Sequence, residues 1–133
     1  MIPKLYTRLI TADDFKDNFG YDLKLRLNQG NFNTIEDAVN SWLDEACESI
    51  NQLIMQRRGR EFTTKLNLFI AEDVNSTDEL YQAMYWSQLY EARFFFENGR
   101  PASLSKVDGT IKHHDEQALQ ILYTYGILEH GVM

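Results

Sequence analysis

The chain has one cysteine, two prolines and seven glycines in 133 residues. One cysteine forms no intramolecular disulfide, which excludes a disulfide-built secreted scaffold and points to a reducing compartment. So few prolines and glycines exclude a collagenous or linker-like chain. No apolar run approaches the roughly 20 residues needed to span a bilayer, and the longest are of the size of Phe94-Phe95-Phe96. The first ten residues carry Lys4 and Arg8 and lack the apolar stretch of a signal-peptide core. The expectation is a cytoplasmic chain with no membrane partner.

Positive charge is also scarce: 13 basic against 20 acidic side chains give a net charge of −7. Residues 1–60 hold 8 basic and 9 acidic groups, and residues 61–133 hold 5 and 11, so the second half carries −6 of the total. Tight phosphate-backbone binding rests on several Lys and Arg contacts, and this balance opposes it. What the chain does have is 8 Phe, 7 Tyr and 2 Trp, with 44% hydrophobic residues, enough for one packed core.

Residues 12–19 read as a short helix that opens on a Thr11/Asp14 capping box and stops at Gly20. Residues 21–27 alternate apolar and polar, a strand-like period made of helix-favouring leucine and lysine, and residues 28–33 are a turn. Thr34 with Asp37 opens the clearest element. Ile35, Val39, Trp42, Ala46, Ile50 and Leu53 recur at spacings of three and four, and Asn40, Asp44, Glu48 and Asn51 fill the opposite face. This helix ends at Gly59, with Arg57 and Arg58 at its negative dipole end.

In residues 60–75, Phe62, Leu66, Leu68 and Ile70 alternate with polar neighbours, which reads as a short strand or an extended loop. A second capping box, Ser76/Glu79, starts a helix whose apolar positions run from Leu80 to Phe96 and stop at Asn98-Gly99, before Pro101. The triple Phe94-Phe95-Phe96 covers more than one helix face. It fits either contact with another subunit or a central helix buried all round. After a polar connection with Asp108-Gly109 as its turn, Asp115 caps a last helix that Gly126-Ile127 closes. The expected fold is one mostly α domain over 1–133: a small bundle of about four helices, two long and two short, with a short tail at 127–133.

Few residues offer chemistry. His113-His114-Asp115 reads as a metal site, as a general base beside a carboxylate, or as a solvated loop ending in an N-cap. Adjacent side chains of an extended segment point apart, and no second ligand pair at helical spacing accompanies them, which favours the loop. Cys47 lies on the flank of the long apolar stripe and reads as a buried structural thiol rather than a nucleophile. Phosphate-cradling glycine loops, Cys/His metal frames and a nucleophile elbow are absent from the sequence. The expectation is no enzyme, no metal and no cofactor. Arg57, Arg58 and Arg60 form the one basic cluster, suited to an acidic partner or phosphate, or to a solvated helix end.

Three segments resemble, in order, those of the head–tail connector (head-completion adaptor) proteins of tailed bacteriophages. The first is Tyr6-Thr7-Arg8-Leu9-Ile10-Thr11-Ala12-Asp13-Asp14-Phe15, leading through Gly20-Tyr21-Asp22-Leu23 to the long helix. The second is Tyr90-Glu91-Ala92-Arg93-Phe94-Phe95-Phe96-Glu97-Asn98-Gly99. The third runs from Asp115 to Leu128 with Gly126. Two features depart from that pattern: 60–75 is longer than a helix–helix turn, and Asp115 stands where a Ser-Pro cap is more usual. The resemblance implies a virion subunit, assembled in the host cytoplasm, in a ring of typically twelve copies beneath the portal protein. Such a ring extends the DNA channel, lets DNA pass without specific binding, and docks a tail-side connector or stopper protein. It also implies that a terminal segment carrying Leu128, Val132 and Met133 is mobile in the free subunit and orders on the portal or a neighbour. Arg57, Arg58 and Arg60 are then expected to meet carboxylates of the adjoining subunit. The reading from another class is a small cytoplasmic helical regulator that binds one protein partner.

Overall fold

The computed structural model describes residues 6–20, 35–72, 78–98 and 114–129. Five helices occupy them: α1 (Ala12–Phe19), α2 (Ile35–Arg58), α3 (Arg60–Ala71), α4 (Glu79–Asn98) and α5 (Glu116–Thr124), with no strand among the described residues. The chain is a small helical bundle. The alternating stretch at 21–27, the turn at 28–33, the Thr34 and Ser76 caps and the Asp108-Gly109 turn lie outside the described residues.

Local chemistry explains the ends that are described. The Thr11 side chain accepts from the Asp14 amide at 3.1 Å, and the Asp14 carboxylate accepts from the Thr11 amide at 3.0 Å, a reciprocal box. The Asp115 carboxylate accepts from the Ala118 amide at 3.0 Å and starts α5. That helix closes through Gly126 at φ 77°, after which the Ile127 and Leu128 amides both donate to the Leu122 carbonyl.

The strand or extended loop expected at 60–75 is corrected: residues 60–71 are helical. Leu66, Leu68 and Ile70 suggested a period of two, but the buried positions are Thr63, Leu66 and Ile70, spaced three and four apart, while Leu68 points outward. Only Gly59 separates α2 from α3, at φ 89° and ψ 169°, a region that side-chain-bearing residues essentially never occupy. This glycine is a corner between two helices as well as a stop.

Helix α4 is the centre, packed against α1, α2 and α5. One core cluster joins Phe15, Val39, Trp42, Leu43, Leu89 and Phe94–Phe96; a second joins Ile50, Ile54, Leu66, Ile70, Met84, Leu122, Ile127 and Leu128. All three phenylalanines of the 94–96 run are buried within the chain, Phe96 against both Phe15 and Trp42. The run therefore marks the central helix and supplies no contact for another subunit.

Candidate functional site

Gly59 places the three arginines around one corner, where their neighbours separate them. Arg58 is engaged inside the chain: Nη1 donates to the Gly126 carbonyl at 2.9 Å and the Ile127 carbonyl at 3.0 Å. Its guanidinium lies 3.8 Å from the Phe62 ring centroid, and Nη2 is 3.5 Å from Glu129. One guanidinium nitrogen shared by two carbonyls, with a ring beneath the group, fastens the end of α2 to the turn that follows α5. Arg58, expected as a partner contact, is thus engaged within its own chain. Arg57 and Arg60 are exposed; Arg57 approaches the Tyr123 hydroxyl at 3.5 Å, and Arg60 borders a cleft with Tyr6, Thr7 and Leu68.

The tail is corrected in part. Leu128 is 1% exposed and belongs to the second core cluster, because the closing turn after Gly126 folds it back onto Leu122. It offers nothing to a partner while the subunit is folded. Val132 and Met133 lie outside the described residues, as do His113 and His130.

The second-half helices meet at a buried carboxylate that sequence reasoning placed only within a family segment. Glu91 of α4 is fully buried. Its Oε2 lies 2.7 Å from His114 Nδ1 and accepts from Ser49 Oγ of α2 at 2.8 Å, while Oε1 accepts from the Asp115 amide at 2.9 Å. Arg93, two residues further along α4, pairs with Asp115 at 3.6 Å, bonds Gln117, and lies over the rings of Phe19 and Tyr90. A serine, a histidine and a glutamate thus stand together, yet the order differs from a nucleophilic relay. Activation requires the hydroxyl to donate to an imidazole nitrogen whose other nitrogen is held by the carboxylate. Here the hydroxyl donates to the carboxylate itself, and the same Nδ1 faces both groups, with Ser49 Oγ at 3.3 Å. The trio ties α2, α4 and the start of α5 together. Cys47 is buried in the first core cluster, as its place in the stripe predicts. Among the described residues, no group of three or more His, Cys, Asp or Glu is arranged to hold a metal ion, and no helix is long and apolar enough to cross a membrane.

Two further polar anchors went unseen in the sequence. Gln88, buried on α4, accepts from the Leu9 amide at 2.8 Å and donates to the Thr7 carbonyl at 2.7 Å. Asn67 of α3 accepts from the Thr7 amide at 2.9 Å and donates to the Asn51 side chain at 2.7 Å. Asn51 is therefore buried, not on a solvated face, because α3 and the segment before α1 cover it. The signal available was a glutamine inside an apolar stripe, since a buried amide needs partners.

Burial also acts on two tyrosines. Tyr6 is pushed up to about 12 by loss of solvent around its hydroxyl, then by the nearby Asp44 and Glu48 carboxylates. Tyr85 is raised for the same first reason, with Asp14 adding to it.

Comparison of the chain with family models, with curated proteins and with solved structures finds no match in any of the three.

Proposed function

We propose that this chain is a structural adaptor of a bacteriophage head–tail joint, a ring-forming subunit that docks beneath a portal protein and receives a tail component. The observation that carries the reading is where its three family-like segments lie. The opening segment reaches α4 through Leu9 to Gln88 and through Phe15 to Phe96. The last segment reaches α4 through Asp115 and His114 to Glu91. The segments that resemble the family thus form one unit around the segment from Tyr90, which supports treating their order as a single signature. The use of Ser49, Glu91 and His114 as a structural tie agrees with a protein that works by binding. An acidic second half suits a channel wall, where like charge keeps passing DNA from adhering.

Of the expected contact residues, Arg57 and Arg60 remain as the basic rim that would meet carboxylates of an adjoining subunit. The test is to read the gene neighbourhood and, with a portal protein encoded there, to carry out co-sedimentation and negative-stain imaging with it. The expected result is a portal-bound ring whose binding falls with salt and falls further in the Arg57→Glu/Arg60→Glu variant. Arg58 is left intact there, because its removal frees the turn after α5. Removing residues 130–133 tests the terminal segment without touching Leu128. Absence of any portal complex, with the gene lying in a metabolic or signalling neighbourhood, would overturn the adaptor in favour of a regulator of one protein partner.

A further inference from the structure

Helix α3 lies at the edge of the bundle. It packs chiefly against α2, and three of its twelve residues are buried, Thr63, Leu66 and Ile70. At its start it is joined to α2 through the single residue Gly59, whose φ of 89° and ψ of 169° set the corner. An element with few buried apolar side chains and a one-residue joint stands at the low end of local stability.

A segment distant in sequence links α3 to the central helix. Residues 6–10, which precede α1, are bonded to both α3 and α4. Gln88 of α4 holds them as a neighbouring strand would: Oε1 accepts from the Leu9 amide at 2.8 Å and Nε2 donates to the Thr7 carbonyl at 2.7 Å. On the other flank, the Thr7 amide donates to Asn67 Oδ1 of α3 at 2.9 Å, and the Thr7 hydroxyl donates to the Asn67 carbonyl at 3.2 Å. Asn67 Nδ2 in turn donates to Asn51 Oδ1 of α2 at 2.7 Å and to the Thr63 carbonyl at 2.9 Å. Thr7 is therefore a junction between the peripheral helix and the central one. Its neighbours are anchored elsewhere: Arg8 reaches Asn40 and Asp44 of α2, and Ile10 is buried in the first core cluster. Leu9 packs on the second cluster, the same one that Leu66 and Ile70 help to close.

We propose that α3 is a lid on the second core cluster and residues 6–10 are its latch: release of Thr7 lets α3 swing about Gly59 and uncovers Asn51 and the part of the cluster that Leu66 and Ile70 close. Opening costs the apolar burial of those two side chains. The amides of Asn51 and Asn67 pass to water together, which is less costly than leaving either buried without a partner. The open form is a minor population of the native state, and the rest of the cluster on α2, α4 and α5 stays in place, so a single urea transition is retained. The coupling is reciprocal: whatever draws the latch from Gln88 loosens α3, and whatever lifts α3 loosens the latch. The device does not depend on the adaptor reading.

The test is native-state hydrogen exchange of the full chain, read residue by residue by NMR, with urea unfolding to measure each variant's global stability. Gln88→Leu removes the hold of α4 on the latch and deletes no hydrogen bond made by α3. It is expected to speed exchange across α3 about tenfold more than across α5, the loss of two hydrogen bonds being passed through Thr7. Thr7→Val deletes only the hydroxyl bond to Asn67 and is the milder variant; it should speed α3 in the same selective way. From the opposite side, Leu66→Ala loosens the lid and should speed exchange of the Leu9 amide, whose own partner is Gln88 on another helix. A segment that is merely packed in place gives a different pattern. Faster exchange at residues 6–10 with α3 unchanged in Gln88→Leu, or α3 accelerating only in step with α4 and α5, overturns the latch. Should Gln88→Leu not fold, Thr7→Val decides by the same comparison.

Discussion

Glu91 shows how one side chain can hold three elements. A buried carboxylate is costly unless its oxygens are satisfied, and here they accept from Ser49 and the Asp115 amide and face His114. Glu91→Ala strands a hydroxyl, an amide and an imidazole at once. It should lower stability by about 3 kcal/mol or more in urea unfolding at neutral pH. A loss below about 1 kcal/mol would show that these groups are not joined in solution. Tyr6 gives a test by pH. Its folded value, about 12, lies above the ordinary value of 10.0, so the fold favours the neutral phenol. The stability this confers is complete below pH 10 and is lost as pH rises from 10 to 12. The alkaline absorbance titration should lose a late-titrating tyrosine in Tyr6→Phe, and that variant's stability should fall less over the same interval. An unchanged late component would assign it elsewhere.

At the scale of elements, the corner between α2 and α3 depends on Gly59. No neighbour would obstruct a methyl group there, so a substitution meets only backbone strain. Gly59→Ala should therefore destabilise by about 1–3 kcal/mol, seen as a lower urea midpoint at constant slope. A neutral result would mean that the corner relaxes into another geometry. The corner positions two functions side by side. The Gly59 carbonyl accepts from the Thr63 amide and hydroxyl to start α3, while Arg58, immediately before it, reaches across to the Gly126 and Ile127 carbonyls in the turn after α5. An arginine pair adjacent in sequence is thus split into an internal tie and an exposed cation. Neither charge nor spacing distinguishes Arg57 from Arg58; the position of Gly126 does.

For the whole molecule, α2 and α4 run through both core clusters, which leaves neither cluster able to melt while the other stays whole. Trp42 and Trp86 report on the first cluster, and helicity reports on all five helices. Fluorescence and circular dichroism should follow one urea transition with one midpoint. Separated midpoints would show that α3 and α5 form an independent unit.

The sequence by itself determined the helices whose ends and faces are local: the Thr11/Asp14 box, the Asp115 cap, the Gly126 closure, and the three- and four-residue spacing of α2 and α4. Such features depend on residues within a turn of one another, so the order of side chains states them in full. Tertiary structure decided the rest because the partners are 16 to 81 residues apart. It turned the period-two reading of 66–70 into a helix by burying Leu66 and Ile70 and leaving Leu68 outside. It buried Asn51 and Gln88 by giving each amide a distant partner in Asn67, Thr7 or Leu9. It drew Leu128 into the core and tied the turn before it to Arg58, and it set Leu68 and Phe69 on one surface and Tyr125 on another. A polar residue among apolar ones, or an apolar residue after a glycine, has its environment fixed by which helix comes to lie against it, and that is a property of the packed chain.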